Sequence, residues 1–112
     1  MVRKVIFLVP LLVMADIVCN IENERIVCTY FIDRSDNAHG LTVEFHWYSP
    51  DGKDDRVKSF KVPPFYGSVY DYRFLPGRKI GRWKVEAREL ETNKSAVTYF
   101  DINSSDDEFF ED

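Results

Sequence analysis

The segment Leu41-Thr42-Val43-Glu44-Phe45-His46-Trp47-Tyr48 decides the fold class of this chain. Apolar Leu41, Val43, Phe45 and Trp47 take every second position, and Thr42, Glu44, His46 and Tyr48 take the others. Side chains of an extended strand point to alternate faces, so a period of two describes a half-buried β-strand, not a helix. The pattern continues downstream. Ser49-Pro50-Asp51-Gly52-Lys53 is turn chemistry, with Pro presetting one dihedral and Gly free to take positive φ. Val57 to Val62 is a short strand stopped by Pro63-Pro64, and Ser68 to Leu75 alternates Val69, Asp71 and Arg73 with Tyr70, Tyr72 and Phe74. Pro76-Gly77 turns the chain into Ile80 to Leu90, where Trp83, Val85 and Ala87 alternate with Lys84, Glu86 and Arg88. After a turn at Glu91-Thr92-Asn93-Lys94, the residues Ala96, Thr98, Phe100 and Ile102 share one face of a last strand. Inward aromatics commonly fill β cores, which places Trp47, Trp83 and the trio Tyr70, Tyr72 and Phe74 inside. On the surface, the same trio would form a recognition patch for protein or glycan.

Upstream, Ile17-Val18-Cys19-Asn20-Ile21-Glu22 and Arg25-Ile26-Val27-Cys28-Thr29-Tyr30 read as a hairpin around Asn23-Glu24. A two-residue turn pairs Glu22 with Arg25, Ile21 with Ile26, Asn20 with Val27 and Cys19 with Cys28. The cysteines then occupy a non-hydrogen-bonded pair, whose Cα atoms approach to a separation a disulfide accepts. Ile17, Ile21, Ile26 and Tyr30 share the face of the bridge, which points it at the core. With no histidine nearby and no Cys-x-x-Cys spacing, neither a zinc site nor a thiol oxidoreductase fits the pair. The whole amounts to about seven strands separated by turn signals, an all-β chain of the immunoglobulin-like antiparallel sandwich type. A small open barrel is the alternative.

An oxidising compartment is expected from the first fifteen residues. Arg3 and Lys4 open the chain, Val5 to Val13 is almost wholly apolar, and Val13-Met14-Ala15 precedes an expected cut before Asp16. The apolar run is about nine residues against about 20 for a spanning helix, and Pro10 interrupts it. Residues 1–15 thus read as a signal peptide and 16–102 as the β domain, exported to the periplasm with no membrane span after cleavage. An uncleaved anchor would instead tether the chain as a structural part of an envelope complex. The formal charge of −4 becomes −6 on loss of Arg3 and Lys4. Five carboxylates, Asp106, Asp107, Glu108, Glu111 and Asp112, lie in the final segment, so 103–112 reads as an acidic, disordered tail. The remainder is nearly neutral, which argues against a nucleic-acid binder.

A Cys-containing strand, a second strand ending near Cys28-Thr29-Tyr30, then Glu44-Phe45-His46-Trp47-Tyr48, Gly81-Arg82-Trp83-Lys84-Val85-Glu86 and the closing Phe100-Asp101-Ile102 together resemble the bacterial family known as domain of unknown function 2914. In that family a His-x-Trp-Tyr-like element precedes a Gly-x-Trp-x-Val element and a closing Phe-x-Ile or Phe-x-Val strand. The resemblance spans nearly all of the chain after Ala15. It departs where His46 abuts Trp47, and where Ser68-Val69-Tyr70-Asp71-Tyr72-Arg73 stands in place of an arginine-tryptophan segment. It implies an envelope β domain and supplies no activity.

No convergent set of catalytic groups stands out, so the chain reads as a non-catalytic binding or assembly module without cofactor or metal. His46, with Glu44 two residues away on the same strand face, is the residue an enzymatic role would need. The expected partner is another envelope protein or a glycan. Pro63, Pro64, Phe65 and Tyr66 form a stiffened loop that presents two aromatics at low ordering cost. Arg78, Lys79 and Arg82 cluster around a turn as a basic patch, with Arg73, Lys84 and Arg88 beyond it. Phe109-Phe110 inside the acidic tail suggests a docking peptide. Lastly, Glu91-Thr92-Asn93-Lys94-Ser95 and Asp101-Ile102-Asn103-Ser104-Ser105 match the extended acidic-x-Asn-x-Ser/Thr acceptor of bacterial N-glycosylation, at Asn93 and Asn103.

Overall fold

The computed structural model describes residues 16–35 and 38–103. The expected signal peptide and the acidic tail beyond Asn103 lie outside the described residues. Seven strands follow one another: β1 (Asp16–Glu22), β2 (Arg25–Phe31), β3 (Leu41–Tyr48), β4 (Arg56–Val62), β5 (Ser68–Phe74), β6 (Gly81–Glu89) and β7 (Ser95–Ile102). All pairings are antiparallel. A three-stranded sheet has the order β1-β2-β5, a four-stranded sheet the order β4-β3-β6-β7, and the two pack face to face.

The first hairpin adopts the register its cysteines imply. Glu22 pairs with Arg25 and Cys19 with Cys28, joined by a disulfide with Cα atoms 4.0 Å apart. Asn23 and Glu24 both take left-handed dihedrals (φ 52° and 65°), the turn whose twist matches the flanking strands. Ile17, Ile26, Cys28 and Tyr30 are buried as expected, whereas Ile21, beside the hairpin tip, is 44% exposed. On the opposing sheet Leu41, Val43, Phe45, Trp47, Trp83, Val85 and Ala87 close the core. Phe100 stacks on Trp83 at 5.9 Å and meets Trp47 edge-on at 6.3 Å. Each such side chain contributes about 1.5–3 kcal/mol when fully buried.

Strand β5 takes the opposite phase to the one its aromatics suggest. Asp71 (3% exposed) and Arg73 (8%) point inward, and Tyr70, Tyr72 and Phe74 point to solvent. The expectation of a tyrosine-filled core is therefore corrected. The reason is that the inner positions opposite β5 offer polar partners. Trp47 Nε1 donates to Asp71 Oδ2 at 2.8 Å, and the Arg73 guanidinium lies over the rings of Trp47 and Trp83 at 5.7 and 5.6 Å. With those charges partnered, the inward phase carries no unpaired ion.

A second polar tie crosses the sheets. Tyr30 on β2 donates its hydroxyl to Glu89 on β6 at 2.5 Å, and Thr92 donates to the other carboxylate oxygen at 2.7 Å. Burial, then the hydrogen bond and charge of Glu89, push the Tyr30 hydroxyl well above its ordinary pKa. The folded state thus keeps a proton that the unfolded chain releases near pH 10, so this contribution is complete below that pH and is lost as pH rises beyond it. The acid side has the opposite sign. Asp101 beside Arg82, Glu91 on the Thr42 backbone N–H and Asp51 on the Lys53 backbone N–H are held below their ordinary range. Their contributions are present above about pH 4 and fade as pH falls through it. The urea midpoint is expected to plateau between about pH 5 and 9.5 and to drop on either side. A midpoint that fell between pH 6 and 9 would contradict these assignments.

Candidate functional site

Strand β4 pairs with β3 and β5 pairs with β2, so each ends its own sheet on the same side of the sandwich. The two free edges face each other across an open seam. Its upper part is a groove of about 410 Å³ lined by Phe60, Val62, Pro63, Tyr66, Val69 and Tyr70. The lower part, about 260 Å³, is lined by Arg56, Lys58, Tyr72, Arg73, Phe74 and Arg78. Lys58 and Tyr72 line both parts, which makes them one channel, aromatic at one end and cationic at the other.

The side chains that build it alternate along two strands. Arg56, Lys58, Phe60 and Val62 stand opposite the buried Trp47, Phe45, Val43 and Leu41 of β3, and so overhang the core from the sheet edge. Placing a lysine among them keeps the edge from pairing with a foreign strand. Arg56 Nη2 donates to Asp71 Oδ2 at 2.7 Å and to the Tyr72 carbonyl at 3.1 Å, tying the two edges at one point. Asp54 receives Arg73 Nη2 at 2.7 Å and Arg78 Nη1 at 3.1 Å. Burial holds the Arg73 guanidinium below its ordinary pKa, and Asp54 opposes that effect.

The Pro63–Tyr66 loop closes the aromatic end. Phe65 is 82% exposed and Tyr66 60%. Phe65 takes a left-handed φ of 74°, a conformation a bulky residue adopts only when its surroundings enforce it. The enforcing group is Arg34, from the β2–β3 connection. Its Nε donates to the Tyr66 carbonyl at 2.9 Å and its Nη2 to the Pro63 carbonyl at 3.0 Å, while Nη1 reaches the His39 carbonyl at 2.6 Å. Ile32 N also donates to the Gly67 carbonyl at 2.8 Å. Arg34→Ala is expected to release the loop, at about 1–2 kcal/mol, and to leave the core intact. Amide exchange at Tyr66 and Gly67 should quicken while that of Val43 and Val85 is unchanged; equal exchange at all four would refute the role.

Around the corner from the seam, Tyr70, Tyr72 and Phe74 join Val18 and Phe31 on the outer face of the three-stranded sheet, all exposed. Arg25 sits over the Tyr72 ring at 4.8 Å, and Tyr72 meets Phe74 edge-on at 5.7 Å. This is an aromatic surface continuous with the groove.

The other expected features fall elsewhere. Of the expected basic patch, Arg78 meets Asp54 (which it shares with Arg73), Lys79 meets Asp51 at 3.4 Å and Arg82 meets Asp101 at 2.9 Å, so each of the three cations has a carboxylate beside it. Interleaved turn carboxylates, spread through the sequence, supply those partners. Asn93 and Asn103 are both exposed, Asn93 with φ 64° in the β6–β7 turn. The acidic residues of the two acceptor patterns have structural partners, however. Glu91 accepts the Thr42 backbone N–H and hydroxyl, both at 2.8 Å, and Asp101 pairs with Arg82. His46 lies 3.0 Å from Glu44 and stacks against Tyr48, on the outer face of the four-stranded sheet. Among the described residues no group of three metal-ligating side chains converges, and no helix is long and apolar enough to cross a membrane. Sequence reading missed Arg34, Arg56 and Lys58, because no local pattern distinguishes them from surface charge.

No family model, no curated protein and no solved structure matches this chain.

Proposed function

We propose that the chain is an exported, periplasmic, non-catalytic binding or assembly module of immunoglobulin-like type, and that the β4–β5 seam is its recognition surface. One observation carries the reading. Two free strand edges enclose an aromatic groove whose rim is held in a strained loop by Arg34. Preorganised aromatics on a stiff loop lower the ordering cost of binding, and exposed tyrosines and arginines are the groups that dominate protein recognition. The partner class is an envelope protein offering an extended segment, since a seam between strand edges suits a strand better than a compact ligand. The resemblance to domain of unknown function 2914 belongs to the same reading. Its aromatic positions, Trp47, Trp83 and Phe100, pack on one another in the core, as a shared scaffold would require.

The test is recovery of crosslinked partners from periplasm with the natively exported protein. Tyr66→Ala with Tyr70→Ala should lower recovery by about tenfold or more, the loss of roughly 1.4 kcal/mol. Tyr99→Ala, on the far sheet and equally exposed, should leave it unchanged. Equal recovery by all variants would rule out the seam. Fractionation with the membrane, in place of the soluble periplasm, would favour the tethered alternative.

A further inference from the structure

The cationic end of the seam is under-satisfied. Four cations, Arg56, Lys58, Arg73 and Arg78, line it, and the carboxylates that meet them are Asp54 and Asp71 alone among the described residues. Lys58 makes no ion pair among those residues; its ammonium lies over the Phe60 ring at 5.4 Å. Arg56 Nε and Arg78 Nε are buried N–H donors with no hydrogen-bond partner. Buried donors are normally satisfied, and a guanidinium presents its N–H groups in a fork that matches a carboxylate. An unpaired lysine and a surplus of positive charge in one groove, with guanidinium groups not fully satisfied within the fold, define a place for carboxylates. The adjoining stretch, with Phe60, Tyr66, Tyr70 and Tyr72, defines a place for aromatic rings.

One segment of this chain has that chemistry: Asp106-Asp107-Glu108-Phe109-Phe110-Glu111-Asp112, five carboxylates around two phenylalanines. Geometry permits its return. Ile102, the last residue of β7, pairs with Gly81 at the start of β6, and so lies at the end of the sandwich where β4 begins. The lateral path from β7 to β4 is three strand spacings, about 14 Å. Seven extended residues, 103–109, span up to about 25 Å.

We propose that the seam is a docking groove for an acidic peptide carrying adjacent aromatic residues, and that this chain's own segment Asp106–Asp112 occupies it in cis. The inference rests on the seam being the recognition surface, and makes the tail a competitor of the outside partner. Removing its two rings and part of its charge should therefore empty the groove.

The experiment uses the full mature chain and a variant of it with Phe109→Ser, Phe110→Ser and Glu108→Gln. A synthetic peptide of residues 104–112 is titrated into each and followed by amide chemical shifts. The variant should bind the peptide about tenfold or more tightly than the parent chain, with shifts on β4 and β5. Adding Lys58→Glu to the variant should abolish that binding, and raising salt from about 0.1 to 0.5 M should weaken it. Recovery of the outside partner should rise with the tail variant. Absence of peptide binding to the variant would overturn the proposal, as would shifts confined to other strands or a parent chain that dimerises through its tail. Continued dependence of partner recovery on Tyr66 and Tyr70 in such a case would leave the seam reading standing, whereas loss of that dependence is the failure of the seam itself.

Discussion

Asp71→Ala is expected to destabilise the domain by about 3 kcal/mol, the lower end of the cost of breaking a buried ion pair. The carboxylate is 3% exposed and serves three donors from three sources: Trp47 Nε1, Arg56 Nη2 and the Tyr72 backbone N–H. Its removal strands the indole N–H in the core and leaves Arg56 without its anion. Arg56 is about a third exposed, 34%, so water recovers part of the loss, which is why the lower end applies. Asp71→Asn keeps an acceptor for Trp47 and should cost about half as much. Domains of this size are stable by about 5–15 kcal/mol, so the urea midpoint of the alanine variant should fall steeply. A change below about 1 kcal/mol would mean that the inward phase of β5 is wrong.

The second large effect concerns Glu89. It is 1% exposed and accepts hydroxyls from Tyr30 and Thr92, joining one sheet to the β6–β7 turn of the other. Glu89→Ala should cost about 2–3 kcal/mol, since it opens space and leaves the Tyr30 hydroxyl buried without an acceptor. Combining Glu89→Leu with Tyr30→Phe removes both polar partners and keeps the volume, and should recover most of that loss. The double variant should also lose the part of the alkaline fall in stability that comes from Tyr30. Additive losses in the cycle would show that the two side chains do not interact.

Strands β3 and β6 were legible because their inward positions, Glu89 at the end of β6 apart, are apolar and their outward positions polar. The β1–β2 register was legible for a different reason: a two-residue turn leaves one pairing that sets Cys19 against Cys28. The phase of β5 was not. Both of its faces alternate cleanly, and composition favours burying Tyr70, Tyr72 and Phe74; only the cross-sheet partners Trp47, Arg56 and Asp54 make the charged face the inner one. The seam was illegible as well. It exists because β4 joins β3 and leaves β5 with a free edge, a choice made by tertiary pairing. The Pro63–Tyr66 loop could be read from its prolines and aromatics, but the arginine that holds it sits some thirty residues earlier, in a connection with no distinguishing pattern. The carboxylates beside Arg78, Lys79 and Arg82 were not legible, because a sequence cluster of one charge does not reveal which opposite charges fold onto it.

The central claim is that recognition happens at the β4–β5 seam. Its most direct measurement is a photocrosslinking scan in the native compartment, with a photoreactive amino acid placed singly at Lys58, Tyr66, Tyr70, Tyr72, Val97 and Tyr99. All six side chains are exposed, and the last two lie on the outer face of the other sheet, so access to solvent does not distinguish the sets. The account predicts adducts of one mass from Lys58, Tyr66, Tyr70 and Tyr72 and none from Val97 or Tyr99. Adducts confined to Val97 and Tyr99 would contradict it.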